Sequence, residues 1–143
     1  MAHDRIAAVA AAALFGVFGG ACSDANPRHA RPAPSAVYVT RGIIEQLPDP
    51  AKPAAQFMVH HEAIDNYANA DGRVVGMGSM VMEFPPEKGI SLSGLRVGDK
   101  VELTFAVWWG RPSRWAATNV VKLPDTTTLE FRRAKPPSIP SGN

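Results

Sequence analysis

Three methionines stand within six positions, Met77, Met80 and Met82, downstream of a paired His60-His61. Thioether sulfur and neutral imidazole suit soft monovalent cations such as Cu(I) and Ag(I). Hard divalent ions prefer carboxylate and carbonyl oxygen, which this cluster hardly offers. The chain's single cysteine is Cys22, so the body from Ser23 onward has no thiol. Disulfides, thiolate zinc sites and cysteine nucleophiles are thereby excluded from that body. Methionine forms no disulfide, so a Met and His site can stay intact in an oxidising compartment where a paired-thiol site closes on itself.

Each of these residues also has an ordinary reading. Met80-x-Met82-x-Phe84 is what a buried strand face looks like, because methionine fills core gaps well. A lone histidine is commonly a hydrogen-bonded structural residue, and His60 fits that description. A third methionine, the small neighbours Gly76, Gly78 and Ser79, and a histidine of matching parity weigh toward metal. His61-Glu62-Ala63-Ile64-Asp65 approaches the zinc-protease spacing, but Asp65 stands where the second histidine must be, and no helical period stacks these groups. No Ser/His/Asp arrangement, phosphate loop or acid pair can be argued from the chain, so catalysis is not expected.

A third group is aromatic. Trp108-Trp109 and Trp115, with Arg111 and Arg114 on the connecting loop, could stack on sugars or single-stranded nucleic acid. A docking surface for a partner protein, made by Trp109, Arg111 and Arg114, is the stronger reading. The formal charge of +2 is too weak a bias for nucleic acid as a main partner.

The elements that must position these groups are strands. Short runs rich in Val, Ile, Phe and Thr, bounded by Gly, Pro, Asn and Asp, predict strands over Val37 to Leu47, Gln56 to His61, Gly76 to Phe84, Lys100 to Trp108 and Trp115 to Leu123. Five strands in so short a body predict an all-β fold, a small five-stranded OB-like barrel over residues 37–124. Residues two apart in a strand share a face. Val101, Leu103, Phe105 and Val107 therefore form an inward row, His61 shares one with Phe57 and Val59, and Met80 and Met82 share one with Phe84. His60 and Met58 point outward. Asn69-Ala70-Asp71-Gly72 reads as a turn in the connection from Asp65 to Val75, a candidate recognition loop.

The flanks are of another kind. Residues 1–21 read as an export signal, with Arg5 ahead of an apolar run from Ile6 to Phe18 that is too short to span a bilayer, and small residues Gly19-Gly20-Ala21 before Cys22. The segment resembles a bacterial lipoprotein signal, which implies lipidation of Cys22 and a membrane anchor on the periplasmic side of the envelope; ordinary signal cleavage, giving a soluble envelope protein, is the alternative. Residues 22–36 read as a proline-containing tether. Residues 125–143, with Arg132, Arg133 and Lys135 leading into Pro136-Pro137 and Pro140, read as a disordered tail.

Four pieces in order resemble the CusF-type family of periplasmic copper and silver metallochaperones: Gly42-Ile43-Ile44, His60-His61-Glu62-Ala63-Ile64, Met80-Val81-Met82-Glu83-Phe84, and Gly98-Asp99-Lys100-Val101 after Leu92 and Leu95. The resemblance runs from about Gly42 to Leu123. It implies a five-stranded barrel related to the OB-fold and Cu(I) or Ag(I) bound by His61, Met80 and Met82. A tryptophan shields the metal in that family by a cation-π contact. Met77 takes its place here, followed by Gly78 instead of the usual proline, so Met77 is a candidate fourth ligand. The resulting expectation is a monomeric, non-catalytic envelope protein that captures the ion and passes it to an efflux system or to cuproenzyme assembly. The rival expectation is a metal-free OB-like lipoprotein acting as an adaptor for another protein.

Overall fold

The computed structural model describes residues 32–110 and 112–138. The signal segment, Cys22 and Arg111 lie outside them. Five strands follow one another as β1 (Ala36–Gln46), β2 (Met58–His61), β3 (Met80–Glu83), β4 (Lys100–Trp108) and β5 (Arg114–Lys122), and no helix occurs among the described residues. They form one antiparallel sheet in the order β3-β2-β1-β4-β5. The fold is all-β, as the strand pattern requires. β4 spans the expected range, and β1 and β5 are displaced by a single residue.

β3 departs further, starting at Met80 instead of Gly76. Gly76 has a φ of 67°, a left-handed conformation that interrupts an extended strand. The Ser79 N–H donates to Arg132 O at 2.8 Å, so the tail takes a bond that a longer strand would have given elsewhere. Pairing resumes beyond the interruption, where Ile64 and Met77 exchange two backbone bonds of 2.8 and 2.9 Å. The hairpin closes at the expected turn, with Asn69 Oδ1 accepting from Asp71 N and Arg73 N, and Gly72 at φ 76°.

The core follows strand alternation. Val101, Leu103, Phe105 and Val107 are buried from β4, Tyr38, Thr40 and Ile44 from β1, and Val59 and His61 from β2. Phe57 and Phe84 flank β2 and β3, and Phe84 meets Phe105 edge-on at 5.1 Å. Burying such apolar area is the main favourable contribution to folding, at about 25 cal/mol per Å². Gly42 is needed for a steric reason. A Cβ there would press on His60 O and lie 2.7 Å from Val59 Cγ1, so β1 approaches β2 this closely only with glycine.

The sheet is not closed by a ladder. β3 and the segment that follows it are joined to β5 instead by local bonds: the Trp115 indole N–H to Glu83 O at 2.7 Å, Ala117 N–H to Pro85 O at 2.8 Å and Glu87 N–H to Ala117 O at 2.9 Å. These contacts satisfy part of two otherwise open edges.

The tail forms no helix or strand, as its composition implies, and residues 125–136 make hydrogen bonds to the sheet and its hairpin. Lys100 Nζ donates to Asp125 O and Thr127 O, Glu130 N–H to Glu62 Oε1, and Lys135 N–H to Asp65 Oδ1. Arg132 grips Asp65 with two bonds of 2.9 and 2.7 Å. The ring of Phe131 stacks on His60 at 4.0 Å. Small residues make room: a Cβ on Gly76 would lie 2.7 Å from Ala134 Cβ. This strap passes Lys100, Glu62 and Ser79 in turn, crossing from β4 toward the start of β3.

Candidate metal centre

His61 ends β2 and lies directly opposite Met80, the first residue of β3. Val59 lies opposite Met82 in the same register. Direct cross-strand partners share a face with Cβ atoms about 4.5–5.5 Å apart, and the diagonal neighbour is about 7–8 Å away. One imidazole and two thioethers thus occupy one face of a two-stranded ribbon. Their environments differ. His61 is 0% exposed, Met82 is partly buried against the core, and Met80 is 50% exposed. The ring forms the floor of the arrangement and Met80 its rim.

The state of the ring follows from its bonds. His61 Nδ1 lies 2.7 Å from Glu62 O. A carbonyl oxygen only accepts, so Nδ1 carries the hydrogen and donates it. The remaining nitrogen, Nε2, then presents a bare lone pair, and this buried atom has no hydrogen-bond partner. Burial, the largest influence, holds the His61 pKa below its ordinary 6.5, and the charge of His60 adds to this while the bond to Glu62 opposes it. The imidazole is neutral at pH 7. A neutral ring with its second nitrogen fixed on a backbone carbonyl is the form in which histidine ligates a metal.

The supporting shell is local. Ser79 Oγ donates to His61 O at 2.6 Å and lies 3.2 Å from His60 Nε2. Thr40 Oγ1 donates to Glu62 O at 3.2 Å, the same carbonyl that fixes His61. Phe84 meets the His61 ring edge-on at 5.8 Å. His60 points the other way, between Phe131 and Ser79.

Met77 is placed differently from the other two. It pairs with Ile64 and packs against the core cluster, beyond the break at Gly78 and Ser79, and does not share the regular register of β2 and β3. The tryptophans gather around the other end of the sheet. Trp115 is bonded to Glu83, the last residue of β3, three pairings from Met80 or about 10 Å along the strand. Trp108 donates its indole N–H to Pro32 O and is covered by the Arg114 guanidinium at 3.5 Å. Trp109, expected on a partner surface, is partly buried: its ring packs against the core cluster, edge-on to Tyr67 at 6.1 Å, and also borders a surface groove with Pro32, Trp108 and Pro112.

Among the described residues no group of three or more His, Cys, Asp or Glu could hold a metal ion. Sequence reasoning did not single out Gly42, Ser79 or the Glu62 carbonyl as parts of the site. Gly42 stood in a recognised motif and Ser79 among the small neighbours, but the bonds that give them roles are tertiary. No protein-family model, curated protein or solved structure matches the chain.

Proposed function

We propose that this chain is a carrier of Cu(I) or Ag(I), holding the ion between His61 Nε2 and the sulfurs of Met80 and Met82 and releasing it by ligand exchange. The observation that carries the reading is the orphaned lone pair of His61. A buried polar atom without a partner costs about 1–3 kcal/mol, so its retention calls for a use. A soft cation supplies the missing partner. The donor set fits that cargo: a neutral imidazole of fixed tautomer belongs to the residue paired with Met80 and lies one pair along the same face from Met82, whose thioethers carry no charge. Uncharged ligands leave the ion's charge unneutralised, and the half-exposed Met80 gives a competing sulfur a way in. Binding of this kind is selective by softness and labile enough for transfer.

Under this reading the chain turns over no substrate. The cargo passes to an acceptor of an efflux system or of cuproenzyme assembly, in a bacterial envelope to which lipidated Cys22 would tether the protein. The test is metal retention after loading with Cu(I) under reducing conditions, native chain against a Met80→Leu/Met82→Leu double variant. Leucine keeps the apolar bulk and removes sulfur, so the native chain should retain about one equivalent and the variant almost none. Equal retention overturns the proposal.

The adaptor reading draws on a groove of about 390 Å³ bordered by Pro32, Trp108, Trp109 and Pro112. The chain already uses much of that aromatic surface itself, through the Pro32 carbonyl and the Arg114 guanidinium on Trp108. The carrier is thus the better supported of the two.

A further inference from the structure

We infer that the C-terminal strap, residues 130–136, is a positioning element for the metal ligands, acting through Glu62 and Ser79. This rests on the carrier function proposed above. The ligands sit on two backbone segments that meet at the break in the β2–β3 ribbon, His61-Glu62 on one side and Ser79-Met80 on the other. At that break the two segments lack the regular ladder that fixes their spacing elsewhere.

The strap supplies what the ladder omits. Arg132 O accepts the Ser79 N–H at 2.8 Å, and the Ser79 hydroxyl donates to His61 O at 2.6 Å, so one residue links strap, β3 and β2. Glu62 forms the second junction. Its carboxylate accepts the Glu130 N–H and a fork from Arg41 at 2.8 and 3.1 Å, while its carbonyl accepts the His61 Nδ1 hydrogen. Both residues adjacent to ligands are therefore bonded to the strap and to the His61 peptide or ring.

Two anchors hold the strap itself. Asp65 receives the Arg132 fork and the Lys135 N–H, and Gly76 leaves the backbone bare where Ala134 and Pro136 lie against it. Ligands held in place before the ion arrives lose less conformational freedom on binding, which raises affinity without a new contact to the metal. Coupling of this kind is reciprocal: if the docked strap favours the ion, the bound ion must favour the docked strap.

The test has two parts, with Ag(I) as the probe because it needs no reductant. Amide hydrogen exchange is first followed in the native full chain with and without Ag(I). Slower exchange at Ser79, Glu130 and Lys135 in the presence of Ag(I) is the expected result. The Ag(I) affinities of Arg132→Gln and Ser79→Ala are then compared with that of Arg133→Gln, whose side chain is not part of the anchor. The first two should bind about three- to tenfold more weakly and the control as the native chain does. Ser79→Ala retains the peptide N–H, so it keeps the proposal testable if Arg132→Gln does not fold. Unchanged exchange with unchanged affinities overturns the strap's role and leaves the carrier standing. Absence of Ag(I) binding by the native chain overturns both.

Discussion

His61 and Met80 face each other across β2 and β3, one wholly buried and the other half exposed. The pairing sets a buried imidazole opposite a half-exposed thioether. Between them lies the route an ion would take, since Met80 is the flexible partner and unbranched methionine changes rotamer easily. A carrier needs this asymmetry. Under the proposed carrier function the buried donor would set position and the exposed one would admit the ion and let it go.

Replacing His61 separates a ligand from a structural histidine. His61→Leu removes the unpartnered Nε2 and the Nδ1 bond, while Glu62 O keeps its bond from Thr40. The metal-free variant should be no less stable than the native chain by more than about 1 kcal/mol, because an unsatisfied buried atom is lost along with a satisfied one. Its Cu(I) affinity should fall by about tenfold or more. Urea denaturation and competition with a Cu(I) indicator read the two quantities. A large loss of stability with unchanged affinity would mean a structural role.

Acid should release the metal later than an ordinary histidine would. A proton competes with the ion at His61 Nε2, and burial holds the folded pKa below 6.5. Affinity should therefore stay level through about pH 6.5 and fall only below it, approaching about tenfold per pH unit beneath the folded pKa, because one proton is exchanged. The methionines contribute no such dependence. A titration flat from pH 7 to pH 4 removes His61 from the ligand set.

Metal-free stability should also decline as pH drops below about 6.5, for a linked reason. The unfolded chain protonates His61 at the ordinary value while the folded chain resists, so the unfolded state binds more protons in that window. The carboxylates add a second decline at lower pH. Asp65 is held well below the usual range by the Arg132 fork and the Lys135 N–H, and Asp99 by Lys122 and the Arg96 N–H. Their contribution is complete above about pH 4, the unfolded carboxylate value, and is lost as pH falls through their folded pKa values. Arg132→Gln should flatten the acid limb of a stability-against-pH curve. An unchanged limb would place the acid sensitivity elsewhere.

A side chain at Gly42 should disturb β2 and the site together. Gly42→Val brings atoms against His60 O and Val59, on the residues that precede and include the His61 pairing. A cost of about 2–3 kcal/mol is expected, with Cu(I) affinity reduced several-fold in whatever fraction stays folded. Thermal unfolding and metal titration check both. Native stability in this variant would show that β1 and β2 can separate without penalty.

Local periodicity was enough to settle much of this protein. Alternation along Val101 to Val107 assigned the buried row of β4, and the same rule put His61 on a core-facing row, because side-chain direction in a strand depends only on the count between residues. It put Met80, Met82 and Phe84 on another, where Phe84 is buried and Met82 partly so but Met80, at the start of β3, is half exposed. What pairs with what lay beyond such counting. The register that sets Met80 opposite His61, the carbonyl that fixes the His61 tautomer, and the partial burial of Trp109 against Tyr67 all depend on how separate segments meet. The strap is the clearest case. Prolines and arginines in residues 125–136 offer no core of their own, so composition reads them as disordered, yet Arg132 finds Asp65 across 67 positions of sequence. That bond exists only once the sheet has brought the hairpin and the chain end side by side.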